Sequence, residues 1–352
     1  MDSYPQPEKT VQITRFEPAT ASAAELSEYI QVELAASTAD EPQNSELTAD
    51  LALARLTRPP SEFQRRLHWV ARVPRIAEPV GVAMLALFGG ADSDLAAIRI
   101  TVDPGQRRRG IGTALLRELA MAAGSRNTLF MENIRPGTPA RAFADHHEFA
   151  VVQRTVQLSL DLDLADRARW QVGGAPGYRL TRWTGAAPED LLASYANARN
   201  AIRQAPHGDM SFTEPEWTPQ RVRDEEGMVR GRDGELRVVA AVHEQTGQVA
   251  GLTYLVVYQQ RPELADQEDT AVLTAHRGHG LGTWMKAANL MWLAADRPAV
   301  KRVRTSNAAE NEHMLRVNRL VGFGVDATSE NREVRTDDLV RTLALGCPAS
   351  TA

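Results

Sequence analysis

The chain has 352 residues, of which 43% are hydrophobic and 24% charged, so it is long enough for two folded domains of ordinary size. Its 40 basic and 45 acidic residues give a net charge of −5, which argues against a nucleic-acid partner but leaves room for local phosphate binding. The single cysteine, Cys347, cannot form an internal disulfide, no apolar run is long enough to span a membrane, and the polar segment Met1–Thr10 lacks a signal-peptide core. We therefore expect a cytoplasmic protein without a membrane partner.

The first half of the chain mixes strand and helix patterns. Short apolar or alternating runs predict strands at Val11–Phe16, His68–Val73, Val80–Leu87, Ala96–Val102, Thr128–Glu132 and Ala150–Leu160. Helical periodicity predicts helices at Ala23–Ala36, Leu47–Leu56, Ile111–Ala123 and Pro139–His146. This order predicts an α/β domain with a mixed sheet.

The second half repeats the first at an offset of about 170 residues. Three landmarks correspond in order: Ile13–Phe16 with Leu180–Trp183, Arg107–Gly112 with Arg277–Gly282, and Glu148–Phe149 with Gly322–Phe323. The second set of predicted elements comprises strands at Tyr178–Trp183, Leu236–Val242, Ala250–Tyr258, Thr270–Thr274 and Val303–Thr305, and a helix at Pro188–Arg203. We therefore predict a duplication.

The predicted domains are residues 1–165 and 178–352, joined by a linker at 166–177 where the sequence becomes rich in glycine. Pro262–Gln267 has the composition of a loop, and the polar stretch His207–Asp233 that of a lid. Because a duplicated chain supplies its own pseudo-two-fold pairing, we expect a monomer or a weak homodimer.

Two glycine loops carry the strongest chemical signal. The first, Arg107–Gly112, follows a strand that ends at Val102 and opens a helix; the second, Arg277–Gly282, occupies the corresponding place. The first turn of a helix offers free N–H groups and a positive dipole end, and glycine lets an anion approach them. The loops thus fit phosphate binding, although a glycine pair also marks an ordinary tight turn.

The pattern Arg-x-x-Gly-x-Gly after a strand end, followed by an Asn-bearing strand and a Gly-Phe-like step, resembles the GNAT superfamily of acyl-CoA-dependent N-acyltransferases. The resemblance covers nearly the whole chain, twice, and implies two tandem GNAT domains that bind the pyrophosphate of acetyl-CoA, a coenzyme A thioester, on loop amides. The cofactor-binding residues that it implies are Val102, Arg107, Arg108, Arg109, Gly110, Ile111, Gly112, Thr113, Asn133, Val272, Arg277, Gly278, His279, Gly280, Leu281, Gly282, Asn307 and Asn311. The three asparagines would contact the pantetheine arm, or else cap turns and helices.

The chain departs from the family at the general acid. The tyrosine usually found five residues before the Gly-Phe phenylalanine is replaced by Ala144 and Asn318. Asparagine cannot release a proton, so Asn318 would only donate a hydrogen bond to the leaving thiolate, which water or a histidine would protonate. The histidines considered are His146, His147 and His313.

A general base is required because an ammonium group is not a nucleophile. Asp269 and Asp209 are our first candidates, since they flank the second loop and the predicted lid, and with Asn318 they form the predicted catalytic set. Carboxylates that stay open as alternatives are Glu268, Glu244, Asp94, Asp103 and Glu132. His276 and His279 lack a third ligand nearby, so no metal is expected.

The leading hypothesis is an acetyl-CoA-dependent N-acetyltransferase that acts on a primary amine of a small molecule by direct attack in a ternary complex. The missing tyrosine leaves two alternatives open: a non-catalytic CoA-binding or scaffold protein, or one catalytic and one structural half. The glutamates of the predicted lid, Glu214, Glu216, Glu225 and Glu226, suit a cationic acceptor or form a solvated face.

Overall fold

The computed structural model describes residues 11–40, 47–58 and 64–345, so Cys347 and Met1–Thr10 lie outside the described residues. Two compact units are present. The N-terminal unit contains the described residues up to Val152, the segment Met210–Thr213 and the described residues from Glu330 onward. The C-terminal unit contains Gln153–Asp209 and Glu214–Ser329.

The N-terminal unit is a mixed sheet covered by helices. Its strands are β1 (Gln12–Phe16), β2 (Gln64–Arg72), β3 (Gly81–Phe88), β4 (Leu95–Val102) and β5 (Thr128–Ile134). Its helices are α1 (Ala23–Asp40), α2 (Ala49–Leu56), α3 (Ile111–Ala123) and α4 (Pro139–His146). The first four strands are antiparallel neighbours, whereas β4 and β5 run parallel. Leu115 and Leu119 of α3 are completely buried against the sheet, as their helical spacing predicts.

The C-terminal unit repeats this arrangement. It contains β6 (Ala150–Asp161, from residue 153), β7 (Tyr178–Thr184), β8 (Gly234–His243), β9 (Val249–Tyr258), β10 (Leu264–Val272) and β11 (Arg302–Ala308). Its helices are α5 (Glu189–Arg199), α6 (Pro219–Arg230), α7 (Leu281–Asp296) and α8 (Glu312–Leu320). Strands β7 to β10 are antiparallel neighbours, β10 and β11 run parallel, and β6 closes the sheet antiparallel to β11.

The closing strands do not follow the predicted domain boundaries. Most of β6 lies in the C-terminal unit, where Leu158 and Leu160 join the core. The strand β12 (Gly324–Arg335) pairs with β5 through Glu330–Arg335, and the helix α9 (Thr336–Leu345) packs on the N-terminal core. Neither β12 nor α9 is predicted from the sequence.

Other sequence expectations also differ from the structure. Trp170, in the predicted linker, is 1% exposed, and its indole N–H donates to the carbonyl oxygen of Val321 at 2.9 Å. The predicted loop Pro262–Gln267 is wrong from its third residue onward, because β10 already begins at Leu264. The predicted lid contains helix α6, whose Val222 is completely buried. The sequences of these elements resemble loops because they contain many polar residues.

Among the described residues, no helix combines the length and the apolar character needed to cross a membrane.

Arg332 anchors the C-terminal segment within the N-terminal unit. Its buried guanidinium contacts the carboxylates of Glu330 and Asp145, each at 2.6 Å, and donates to the carbonyl oxygen of Phe149 at 3.1 Å. Replacing Arg332→Met leaves Glu330 buried without its nearest positive charge, so we expect the free energy of unfolding to fall by about 3 kcal/mol. Urea denaturation measures this loss. The control is Arg341→Met, which removes an exposed ion pair with Asp338 and should change the free energy of unfolding by less than about 0.5 kcal/mol.

Candidate active site

Each unit presents a glycine at the start of a buried helix. Gly110 precedes α3 with φ of 80°, and Gly280 precedes α7 with φ of 72°; a Cβ atom built at either position meets nothing within 4 Å. No side chain caps either helix, so the N–H groups of the first turn have no side-chain hydrogen-bond acceptor. Both loops therefore form open cradles for an anion.

The arginines of the two loops brace them against the preceding strands. Arg107 Nε donates to the carbonyl oxygen of Val102, and Arg277 Nε donates to that of Val272, both at 3.2 Å. Arg107 also forms a bidentate ion pair with Asp40, at 2.6 and 2.9 Å, whereas Arg277 donates to the neutral amide oxygen of Gln204 at 2.8 Å. The two arginines therefore shape the loops in the same way but differ in how their charge is compensated.

The other predicted loop residues surround these cradles. Arg108, Arg109, Gly278 and His279 are exposed, Ile111 and Leu281 anchor the helix starts in the core, and Gly112, Thr113 and Gly282 are partly exposed. Thr113 Oγ1 lies 3.2 Å from His147 Nε2. Desolvation lowers the pKa of His147 to about 4, so this imidazole is neutral at pH 7 and is a poor proton donor.

A parallel pair of strands separates beside each cradle. Strands β4 and β5 pair only as far as Ala97 and Phe130, and β10 and β11 only as far as Asp266 and Arg304. Beyond these points ladder hydrogen bonds no longer join the two strands, and we take the space between them, on the way to the start of α3 or α7, as the candidate groove. The geometry suits a long, thin ligand whose phosphates reach a helix N-terminus.

Strands β4 and β10 occupy corresponding places in the two units, but only β10 carries a bulge. The register between β3 and β4 is continuous from Gly81 and Val102 to Leu87 and Ala96. On β10 it shifts against β9 between Gln267 and Thr270, so that Glu268 and Asp269 both stand opposite Tyr254. A bulge takes backbone groups out of the ladder and redirects side chains. The C-terminal unit therefore has a specialised backbone at the point where the N-terminal unit has a regular strand.

Asp269 lies in a charged cluster at this bulge. Arg199, which is 2% exposed, donates through Nη2 to Asp269 Oδ2 at 3.3 Å and to Tyr254 Oη at 2.9 Å, and pairs with Glu225 through Nη1. The guanidinium carbon lies 3.4 Å from the centre of the Trp217 ring. These contacts hold Asp269 in a fixed orientation.

Glu268 is the second carboxylate of the bulge. Its side chain is exposed at the surface, yet desolvation by the neighbouring protein, followed by the charges of Asp266, Asp269 and Glu225, raises the pKa of Glu268 to about 7. A carboxylate with this pKa is suited to accept a proton near neutral pH. Burial likewise raises the pKa of Glu214 above its ordinary value, with Asp269 as the second cause.

The structure separates the predicted catalytic residues. Asp209 lies exposed in a turn, and none of the contacts seen for the described residues connects it with the cluster of Asp269. Asn318 is completely buried on α8; its Oδ1 accepts from Lys286 Nζ and its Nδ2 donates to Asn307 Oδ1, both at 2.7 Å. Sequence analysis missed Lys286, whose only signal is a lone lysine within an apolar helical run.

The predicted asparagine ligands occupy different settings. Asn307 is half-buried on β11, beyond the last residue that pairs with β10. Asn311 caps α8, since its side chain accepts from the N–H of Met314 at 3.1 Å. Asn133 is the penultimate residue of β5, with φ of 57°, and its N–H donates to Asn331 Oδ1 at 3.0 Å.

The histidines beside the second loop surround Tyr178 instead of a common centre. Tyr178 Oη lies 2.9 Å from His276 Nδ1, and the rings of His243 and His279 lie 5.4 Å from that of Tyr178. Within the described parts of the chain, no group of three or more His, Cys, Asp or Glu side chains has an arrangement that could hold a metal ion.

Comparisons with known proteins agree with these features. The profile of the Acetyltransferase (GNAT) family matches residues 33–149. Mycothiol acetyltransferases of Mycobacterium avium (strain 104) and of Mycolicibacterium paratuberculosis (strain ATCC BAA-968 / K-10) are each 27% identical over 253 residues, covering 69% of this chain and 75% of the relative. Among solved structures, a tandem GNAT protein from the clavulanic acid biosynthesis pathway matches 93% of this chain and 99% of its own, with 26% identity and a TM-score of 0.76. A GCN5-related N-acetyltransferase from Sphaerobacter thermophilus shares the fold over 94% of this chain and 96% of its own, with 15% identity and a TM-score of 0.69.

The fold has the tandem architecture of the GNAT protein that it resembles, and the family match and the mycobacterial relatives indicate an acetyltransferase. Residues 33–149 form a GNAT acetyltransferase domain, and by class the protein is an N-acetyltransferase, as the glycine loops predict. GNAT enzymes in general use acetyl-CoA.

Proposed function

We propose that the protein transfers an acetyl group from acetyl-CoA to a primary amine of a small molecule, and that the reaction takes place in the C-terminal unit. The observation that carries this proposal is the bulge of β10, where Glu268 and Asp269 follow the last residue of β10 that pairs with β11, in the unit that has the open glycine at position 280. The name of the mycobacterial relatives, mycothiol acetyltransferase, supports a small-molecule acceptor.

The residues of the C-terminal unit fit acetyl-CoA. The cradle of Gly280, where a Cβ atom meets nothing within 4 Å, and the first-turn N–H groups of α7 would hold the pyrophosphate, with Arg277 and His279 beside them. Asn307 would face the pantetheine arm in the groove. When bound, acetyl-CoA supplies an activated thioester carbonyl. Gly110, Arg107 and the first turn of α3 would bind a second molecule in the N-terminal unit.

Glu268 replaces Asp209 as the general base in this proposal. Its carboxylate accepts a proton from the acceptor ammonium, which leaves a nucleophilic amine. The side chain of Asp269, held by Arg199 and Tyr254, positions that amine. A backbone N–H released from the ladder by the bulge donates to the carbonyl oxygen as negative charge develops there.

The leaving thiolate takes its proton from water. Both polar atoms of Asn318 are engaged within the protein, by Lys286 and by Asn307. Asn318 therefore does not reach the sulfur, and it has no proton to give. This assignment replaces the direct role predicted for Asn318 from its position five residues before Phe323.

The N-terminal unit is proposed to bind acetyl-CoA without catalysing transfer. It keeps the open cradle at Gly110 but has a regular β4 in place of the bulge. In the core of this unit Tyr29 Oη lies 3.4 Å from His68 Nδ1, and desolvation and nearby arginines lower the pKa of His68 to about 4. This arrangement favours the hypothesis of one catalytic and one structural half over that of a scaffold without catalysis.

The acceptor is proposed to be cationic beyond its reacting amine. Glu214, Glu268, Asp269 and Glu225 lie around the site. Arg199 pairs with Glu225 and Asp269, and the charges of Arg221 and Arg304 act on Glu214 and Glu268. We expect Asp269→Asn to raise the KM for the acceptor about three- to tenfold, with the KM for acetyl-CoA unchanged, because one charge facing the amine is lost. Asp190→Asn, at an exposed position of α5, is the matched control.

The proposed function is tested by incubating the protein with acetyl-CoA, a thiol reagent and a panel of mono- and polyamines. Steady CoA release that requires an amine is the expected result. A protein that binds acetyl-CoA by calorimetry but releases CoA at the same rate with and without every amine would be a scaffold.

A further inference from the structure

A buried lysine lies behind the groove of the C-terminal unit. Lys286, on α7, is 1% exposed, and its Nζ atom donates to Asn318 Oδ1 at 2.7 Å. Asn318, which is 0% exposed, in turn donates from Nδ2 to Asn307 Oδ1 at 2.7 Å. The three side chains form a linear series that begins in the core and ends at a half-buried asparagine on the diverging part of β11.

The series has a direction when Lys286 is protonated, because a lysine ammonium can donate hydrogen bonds but cannot accept them, and Lys286 Nζ donates to Asn318 Oδ1. Asn318 must therefore turn its oxygen toward Lys286 and its NH₂ group toward Asn307. Asn307 must then turn its oxygen toward Asn318, which leaves its own NH₂ group for the groove. A free asparagine can present either end of its amide, so Lys286 selects the donor.

The N-terminal unit lacks this series at the matching positions. Leu116 stands six residues after Gly110, as Lys286 does after Gly280, and Ala144 stands five residues before Phe149, as Asn318 does before Phe323. Leu116 and Ala144 are both completely buried. The same fold is thus satisfied by an apolar pair at these two positions, and the packing of the core does not require Lys286 or Asn318.

We propose that Lys286 and Asn318 are positioning residues that orient the side-chain NH₂ group of Asn307 as a hydrogen-bond donor to a carbonyl group of the acyl-CoA arm in the C-terminal unit. This inference rests on the proposed function, since it requires acetyl-CoA in that groove. Neither Lys286 nor Asn318 touches the cofactor in this arrangement; both act through Asn307.

The cost of burying Lys286 supports a role beyond packing. Desolvation lowers the pKa of Lys286 to about 7, and no carboxylate is paired with its ammonium group among the described residues. A buried amine without an ionic partner is destabilising relative to a leucine of similar volume. A side chain retained at such a cost is better explained by the polarity that it imposes on Asn318.

The test transfers the apolar pair of the N-terminal unit into the C-terminal unit. Lys286→Leu with Asn318→Ala is made in a Gly110→Val background, so that titration calorimetry with acetyl-CoA reports the C-terminal groove alone, and thermal unfolding is followed in parallel. We expect an unchanged or higher Tm and a Kd for acetyl-CoA that is about five- to tenfold weaker, the effect of losing one oriented hydrogen bond. If Lys286 and Asn318 served only the packing of the core, the Kd for acetyl-CoA would be the same as in the Gly110→Val parent whenever the variant folds.

A second variant keeps the test decisive if the double substitution fails to fold. Asn307→Asp removes the NH₂ group but preserves the acceptor for Asn318. We expect it to weaken the Kd of acetyl-CoA by a similar factor and to add no further weakening to Lys286→Leu/Asn318→Ala. A wild-type Kd in either variant overturns the proposal, whereas a parent Gly110→Val protein that does not bind acetyl-CoA overturns the proposed function itself.

Discussion

Replacing Glu268→Gln is expected to lower kcat/KM for the acceptor about 10² to 10³-fold, the usual contribution of a general base. Glutamine has nearly the same shape, but its neutral amide cannot take the proton of the ammonium group. Acetyl-CoA binding should persist, because Glu268 lies at the bulge and not in the Gly280 cradle. Glu263→Gln, at an exposed position just before β10, is the matched control and should retain wild-type kcat/KM.

The pH profile identifies the group that is lost. The pKa of Glu268 is raised to about 7, so the carboxylate form increases from pH 6 to pH 8, and wild-type kcat/KM should rise over this range. In Glu268→Gln this limb should disappear and leave only the titration of the acceptor amine. A Glu268→Gln protein that keeps both its rate and its limb near pH 7 would exclude Glu268 as the base.

Replacing Gly280→Val is expected to reduce turnover to about 1% of wild type or less, since positioning and electrostatic stabilisation both depend on the bound thioester. Gly280 has a φ of 72°, which a β-branched residue adopts only with strain, and the added side chain would occupy the cradle. Gly110→Val imposes the same strain at a φ of 80°. It should remove one acetyl-CoA site by calorimetry but preserve turnover.

The turnover of the two glycine variants shows which unit carries out the reaction. If Gly110→Val abolishes turnover and Gly280→Val preserves it, the chemistry belongs to the N-terminal unit. Valine should be strained to a similar extent at both positions, because Gly110 and Gly280 have similar φ angles of 80° and 72°. Thermal unfolding of both variants therefore shows whether strain alone accounts for a loss of turnover.

The sequence predicts the parts of the protein that depend on local signals. The starts of α3 and α7 follow from glycine, helical periodicity and the preceding strand, and those signals also indicate phosphate binding. The position of β12 does not follow from such signals, because its partner β5 lies about 200 residues earlier in the chain. Polar residues such as Gln267 hide the start of β10, since their hydrogen bonds to Thr253 and Tyr254 exist only in the folded sheet.

The proposed catalytic residues depend on contacts between distant segments. The pKa of Glu268 is set partly by Glu225 on α6, a charge more than 40 positions away in the sequence. Asp209 and Asp269 look equivalent as loop carboxylates, but Arg199 and Tyr254 hold Asp269 at the bulge while Asp209 lies in an exposed turn. Lys286 has an exceptional environment that its neighbours along the chain do not reveal.

The most direct test of the proposed site is a calorimetric titration of the Gly110→Val protein with acetyl-CoA. The Gly280 cradle is then the single intact glycine loop of the two. Binding of one molecule per chain at micromolar concentration is the predicted result. Absence of binding, in a protein whose thermal unfolding matches that of the wild type and whose parent binds acetyl-CoA, would contradict the assignment of the reaction to the C-terminal unit.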